Sequence, residues 1–253
     1  MNIEYHSWES LLLNQKAEIK VYGTNGRPLL VFPTSNGRFY DYENFGMIDA
    51  LSEYINGKNL IVFAVDGMDS QIWFNQNITP SEKAKRYVDY DQFIYKEIIP
   101  FIKSYEGIAN SENIITTGCD FGAYHAANFF FKHPDVIDGF IGLSGVYSLN
   151  FSVGEFVDDN IYFNDPLRYL PNLKDPWYLD KFNDSDIIIC SGQGAFEEWH
   201  VEQSIALNKV LHKIGVKDNW LDLWGLDVTH DWHWWRKEIV YFLSKLKMHP
   251  ILQ

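Results

Sequence analysis

The chain reads as an α/β protein with a mostly parallel central sheet and helices on both of its faces. Continuous apolar runs of strand length alternate with segments of helical spacing, and turn residues separate them from end to end. At 253 residues and 46% hydrophobic composition, the chain carries enough apolar side chain for a substantial core. No internal repeat, low-complexity stretch or linker divides it, so residues 1–253 are expected to form a single domain.

Residues 17–23 alternate between apolar and polar, as a half-buried strand does. Residues 28–33 (Pro-Leu-Leu-Val-Phe-Pro) and 60–65 (Leu-Ile-Val-Phe-Ala-Val) are apolar throughout, which suits strands covered on both faces. Between them, Phe45, Ile48, Leu51 and Ile55 recur at helical spacing and predict a helix over 42–55. A second helix is predicted over 90–105, with Phe93, Ile94, Ile98 and Phe101 as its buried stripe and Pro100 kinking or breaking it. A strand at 113–117, a helix at 123–132 and a strand at 137–143 follow. Residues 146–181 lack periodicity and hold Pro166, Pro171 and Pro176, so they are expected to run over the sheet as an irregular excursion. A strand at 186–191, a helix at 198–214, a strand at 220–224 and a helix at 232–246 complete the order.

Composition narrows the classes of partner. A net charge of −13 without any basic stripe excludes nucleic acid, because phosphate binding needs clustered Lys and Arg. The acidic surplus is most simply a solvated surface. Aromatic residues reach 17%, a composition that lines concave sites as well as cores. Cys119 and Cys190 each end an apolar run, so both are expected to be buried and reduced rather than paired. Residues 1–13 have no apolar h-region and no run approaches membrane-spanning length. A cytoplasmic protein with no membrane partner is the expectation.

The most informative motif is Gly118-Cys119-Asp120-Phe121-Gly122, between a predicted strand and a predicted helix. In α/β-hydrolases this setting holds the nucleophile elbow, G-x-S-x-G, whose glycines allow a sharp turn and close strand–helix approach. Here Asp120 stands at the serine position. The other catalytic groups of that fold follow in the order acid, then histidine. The loop after 186–191 reads Gly192-Gln193-Gly194-Ala195-Phe196-Glu197-Glu198, and the loop after 220–224 reads Gly225-Leu226-Asp227-Val228-Thr229-His230-Asp231-Trp232.

These segments resemble the esterase D-like branch of the α/β-hydrolases, the group related to carbohydrate and feruloyl esterases. The likeness runs through Val31-Phe32-Pro33-Thr34-Ser35, Asp66-Gly67, Tyr124-His125-Ala126-Ala127-Asn128-Phe129, His133-Pro134-Asp135 and Leu143-Ser144-Gly145. It ends in His230-Asp231-Trp232-His233-Trp234-Trp235-Arg236. The resemblance implies an α/β-hydrolase fold and a small-molecule ester or carbohydrate-like ligand, with no cofactor. It makes His230 the catalytic histidine and Glu197 the acid, with Glu198 a near competitor. The oxyanion hole would use the N–H of Phe121 and one from the Thr34–Ser35 turn. Whether the chain forms a homo-oligomer stays open.

Asp120 departs from that pattern. It has no proton to give at neutral pH, and its charge works against His230 acting as a base. A carboxylate attacking an ester carbonyl would form a mixed anhydride, less stable than the ester consumed. A loss of about 3 to 6 powers of ten against a serine version is expected. Three readings follow. The chain is a weak or inactive relative that keeps the pocket for binding; or Asp120 acts as a general base on water; or Asp120 attacks an sp3 carbon to give an ester that His230 and Glu197 help water to cleave.

Plainer readings stand beside these. Asp120 is then an isolated change at an otherwise normal site, and His230 a structural histidine at a helix start. Glu197 and Glu198 are helix-start carboxylates near the dipole. Trp232, Trp234 and Trp235 are expected to pack between the last helix and the sheet, and His125 and His133 to be helix-surface or capping residues. The cluster His230, Asp231 and His233 lacks a further His or Cys nearby, so no metal is expected. Ser144 lacks the elbow's leading glycine pattern and is not taken as a nucleophile.

Overall fold

A computed structural model describes residues 1–108 and 113–246. Eight strands form one sheet: β1 (Ile3–Ser10), β2 (Gln15–Tyr22), β3 (Arg27–Phe32), β4 (Leu60–Val65), β5 (Ile114–Cys119), β6 (Ile137–Leu143), β7 (Asp186–Ser191) and β8 (Asn219–Leu223). Their order across the sheet is β1-β2-β4-β3-β5-β6-β7-β8. The pairings β1–β2 and β2–β4 are antiparallel, and the remaining five are parallel.

Alternation along the strands divides the buried side chains between two cores. Leu30 and Phe32 face a core that includes Tyr87 and Phe129, whereas Leu29 and Val31 face one that includes Trp235, Ile239 and Phe242. The first core is roofed by helices Pro80–Phe93, Phe121–Lys132 and Glu198–Ile214, and the second by Trp232–Leu243. Cys119 and Cys190 are buried and unpaired. No helix of the described residues is long and apolar enough to cross a membrane.

Three elements differ from expectation. Strand β1 was not foreseen, because an edge strand with alternately exposed positions carries little apolar periodicity. The helix expected over 42–55 is three short ones, Asp41–Asn44, Met47–Ala50 and Ser52–Asn56. Gly46 breaks it with a left-handed φ of 73°, and Phe45 leaves the buried face to stack on Trp232 at 4.9 Å. The helix expected over 90–105 begins instead at Pro80, where Thr79 and Glu82 form a capping box. It passes through a π-helical turn, Ile94–Ile98, before Ile99–Ser104, with Pro100 in the opening turn of that last piece.

The excursion holds four short α-helices, Asn150–Val153, Asp159–Tyr162, Pro166–Tyr169 and Pro176–Asn183, and a 3-10 turn, Leu170–Asn172. It is tied down by polar contacts. Tyr124 donates to the Asn164 carbonyl at 2.8 Å, and the buried Asp165 accepts the Leu149 N–H at 2.8 Å. This anchoring holds Phe151 beside the start of the elbow helix, 5.4 Å from the Phe121 ring.

Candidate active site

Strand β5 ends at Cys119, and Asp120 turns the chain sharply with φ 55° and ψ −124°, a conformation seldom adopted by a residue with a side chain. The flanking glycines are steric requirements. A Cβ on Gly118 would lie 2.2 Å from the Gly122 carbonyl carbon, and one on Gly122 would lie 2.6 Å from the Phe32 oxygen. The Asp120 N–H donates to the Leu143 carbonyl at 3.0 Å, fixing the bend to the neighbouring strand. The elbow inferred from sequence is therefore present, with a carboxylate at its apex.

The two oxygens of that carboxylate have different surroundings. Oδ2 accepts from the Ser35 N–H at 3.1 Å and from the Ser35 hydroxyl at 2.5 Å. Oδ1 faces two imidazoles, the Nε2 of His200 at 3.6 Å and the Nε2 of His230 at 3.8 Å. Burial alone would raise the Asp120 pKa, but His200, the Ser35 hydroxyl, His230 and the Ser35 N–H outweigh it and hold the carboxyl at about 2. At neutral pH the apex is an anion.

Glu197 lies behind the histidines, 1% exposed. It accepts from the Ser144 hydroxyl at 2.6 Å and from the Ser191 hydroxyl at 2.9 Å, and its Oε1 sits 3.4 Å from His230 Nδ1. Trp235 donates its indole N–H to Ser144 at 3.0 Å, so the end of β6, the end of β7 and the last helix all fix this acid. Glu198, one residue on, is exposed. The geometry thus separates the two glutamates that the loop sequence left open.

Of the remaining predicted pocket residues, Ser35 touches the carboxylate directly, while Thr34 closes its turn by accepting the Gly37 N–H at 2.8 Å. Phe121 opens the elbow helix, where an N–H is left for an outside acceptor. Its ring is buried and stacks on Tyr124 at 4.7 Å.

One expectation needs correction. His125 is not a helix-surface residue: it is 1% exposed, and its Nε2 lies 2.8 Å from Asp69 Oδ1. The residues His230, Asp231 and His233, close in sequence, do not converge in the structure. Asp231 caps the last helix by accepting the His233 N–H at 2.7 Å, and the exposed His233 ring meets Lys237. A different group converges, Asp120, His200 and His230, with potential ligand atoms all within 4.8 Å of one another.

His200 was missed in the sequence. It lies three residues after Glu197 in the first turn of helix Glu198–Ile214, a spacing that puts both on one helix face. Its ring stacks on His230 with centroids 4.0 Å apart. Trp232 and Trp235 pack as expected, Trp235 buried in the second core and edge-on to His230 at 4.8 Å, whereas Trp234 joins neither core and lies under the Lys237 ammonium at 4.3 Å.

An elbow after the central strand β5, an acid after β7 and a histidine after β8, on a sheet of this order, leave one architecture. The fold is that of the α/β-hydrolases. No family's sequence pattern matches the chain, and no curated protein does. Solved structures match over nearly all of it. A ferulic acid esterase shares 16% identity over 96% of this chain and 97% of its own, with a TM-score of 0.74. An S-formylglutathione hydrolase from Agrobacterium tumefaciens shares 12% over 96% and 93%, with a TM-score of 0.73. An S-formylglutathione hydrolase from Staphylococcus aureus shares 15% over 97% and 99%, with a TM-score of 0.65.

Proposed function

We propose that the chain is an esterase-like α/β-hydrolase in which serine-type turnover is lost or deeply reduced and the pocket is kept for a small ester or carbohydrate-like ligand. The observation that carries this reading is the double contact of Ser35 with Asp120 Oδ2. The Ser35 N–H is the turn donor that an acyl-transfer site would aim at a substrate oxyanion, and the chain's own carboxylate takes it. A substrate carbonyl would have to displace an anion, and its negative intermediate would then form beside that anion.

The rim supports a ligand with an aromatic or apolar group. Phe151 and Trp199 are each 42% exposed, with ring centroids 5.8 Å apart, and they continue from Phe121 to His200. Esters of aromatic acids, the class named for the ferulic acid esterase neighbour, fit such a wall.

A second reading, slow hydrolysis by water, is favoured by the pairing of His230 Nδ1 with Glu197 at 3.4 Å, which backs the imidazole as a base. Asp120 contributes little there, because a carboxyl held at about 2 is a feeble base.

The test is hydrolysis of p-nitrophenyl acetate by the parent and by Asp120→Ser. The expected outcome is a gain of roughly 10³-fold or more on installing the hydroxyl. Parent turnover at the rate of the serine variant, abolished by His230→Ala, would overturn the loss of activity.

A further inference from the structure

We propose that Asp120, His200 and His230 form a binding site for a divalent first-row transition ion such as Zn2+. The proposal concerns the same pocket but does not depend on whether an ester is turned over.

The facing atoms are those a metal uses: one carboxylate oxygen and two imidazole Nε2 atoms. They stand 3.6 Å and 3.8 Å apart along the two Asp–His edges, and all three lie within 4.8 Å. Tetrahedral ligands at zinc distances sit roughly 3.4 Å from one another. Closure therefore needs only small movements of the side chains. Two imidazoles and a carboxylate suit borderline ions better than Ca2+ or Mg2+, which prefer all-oxygen cages. Three protein ligands would leave a further coordination position for water or a ligand group.

The atoms turned away from the centre strengthen the case. Asp120 Oδ2 is held by the Ser35 N–H and hydroxyl. His200 Nδ1 lies 3.2 Å from the Phe196 carbonyl, and a proton on that nitrogen leaves the Nε2 lone pair facing inward. His230 Nδ1 faces Glu197 at 3.4 Å. Asp120 and His200 thus have outer partners of the kind that orient metal-binding side chains, and His230 has a carboxylate beside its outer nitrogen without a hydrogen bond to it.

His200 Nε2 is buried without a hydrogen-bond partner, on a residue 7% exposed, and His230 Nδ1 is likewise without one. An orphaned buried nitrogen aimed at a carboxylate outside hydrogen-bonding distance is an unsolved polar arrangement in the free protein. A bound cation resolves it, and two positive charges balance the anions of Asp120 and Glu197.

The rival occupant is a proton shared between Asp120 and one imidazole, which predicts no saturable metal binding. The full chain, stripped with a chelator and titrated calorimetrically with Zn2+, is expected to take up one equivalent with micromolar affinity or tighter. The Co2+ form is expected to show ligand-field absorption in the visible. His200→Phe keeps a ring against His230 and removes the ligand; it and Asp120→Ser are expected to weaken binding more than 100-fold. Glu197→Gln should weaken it by about 10- to 100-fold, the usual effect of losing an orienting partner. His233→Ala should leave it unchanged.

Absence of saturable binding, or binding retained by both His200→Phe and Asp120→Ser with native circular dichroism, overturns the site. The serine-variant ester assay reports separately. A gain in hydrolysis without Zn2+ binding by the parent would leave the functional reading standing and remove this one.

Discussion

Two buried histidine–carboxylate clusters in this chain differ in where their polar atoms end. His125 has both nitrogens occupied, Nε2 at 2.8 Å from Asp69 and Nδ1 at 3.2 Å from the Tyr87 hydroxyl, and aromatic rings enclose it. His200 has its outer nitrogen on the Phe196 carbonyl and His230 has its own 3.4 Å from Glu197 without a hydrogen bond, while the inner nitrogens of both converge on Asp120 without reaching it. The residue types are the same. A closed cluster fixes the packing of the elbow helix, whereas an open one presents donor atoms to something else.

Substitutions can break this contrast. The largest effect is expected at the closed cluster. Asp69→Ala strands a buried imidazole and should cost about 3–5 kcal/mol in urea unfolding. His200→Phe at the open cluster should stay within about 1 kcal/mol of the parent. Equal losses would show that both clusters are structural.

Next is Glu238, a fully buried carboxyl near Glu197 whose oxygens have no nitrogen or oxygen donor among the described residues, only the weakly donating Cys190 thiol. Burial first, and then the charges of Glu197, Asp222 and Asp231, push it up to about 8 against the pull of the Cys190 thiol. The folded protein holds it protonated, while the unfolded chain ionises it above an ordinary value near 4.5. Stability is therefore fully present below pH 4.5 and falls as pH rises toward 8. Glu238→Gln should match the parent at pH 4 and exceed it by a few kcal/mol at pH 8, seen as a higher melting temperature. A constant offset across that range would refute the buried neutral acid.

The smallest effect belongs to Asp120, whose sign is opposite. Its carboxyl is held at about 2 against an ordinary 3.8, so its stabilising contribution is present above pH 3.8 and disappears as pH falls toward 2. The amount is roughly 2 kcal/mol. Asp120→Asn should flatten the acid limb of the stability curve by about that much. An unchanged acid limb would mean that the histidines and Ser35 do not hold the anion.

How much of this was legible in the sequence depends on whether local chemistry or distant chain decides each residue. The strands Arg27–Phe32 and Leu60–Val65 follow from continuous apolar runs, and the elbow from two glycines flanking a three-residue turn centred on residue 120. Glu197 and His230 could be named because their loops follow predicted strands in a fixed order. His200 could not be: it reads as one polar residue in a helix, and its approach to His230 depends on the parallel pairing of β7 with β8. His125 shows the converse, a polar residue among apolar neighbours whose partners lie 38 and 56 positions away. The capping box of Thr79 and Glu82, with Pro80 between them, is a local signal that marks the true start of this helix.

The backbone at residue 120 carries a lesson of its own. Its dihedrals cost about 1–3 kcal/mol for any residue bearing a Cβ, and glycine would relieve most of that. A scaffold kept merely for its shape could relax there by shedding the side chain. The carboxyl that stands at this vertex spends its hydrogen bonds on Ser35 and its charge on two imidazoles, contacts a glycine there would forfeit.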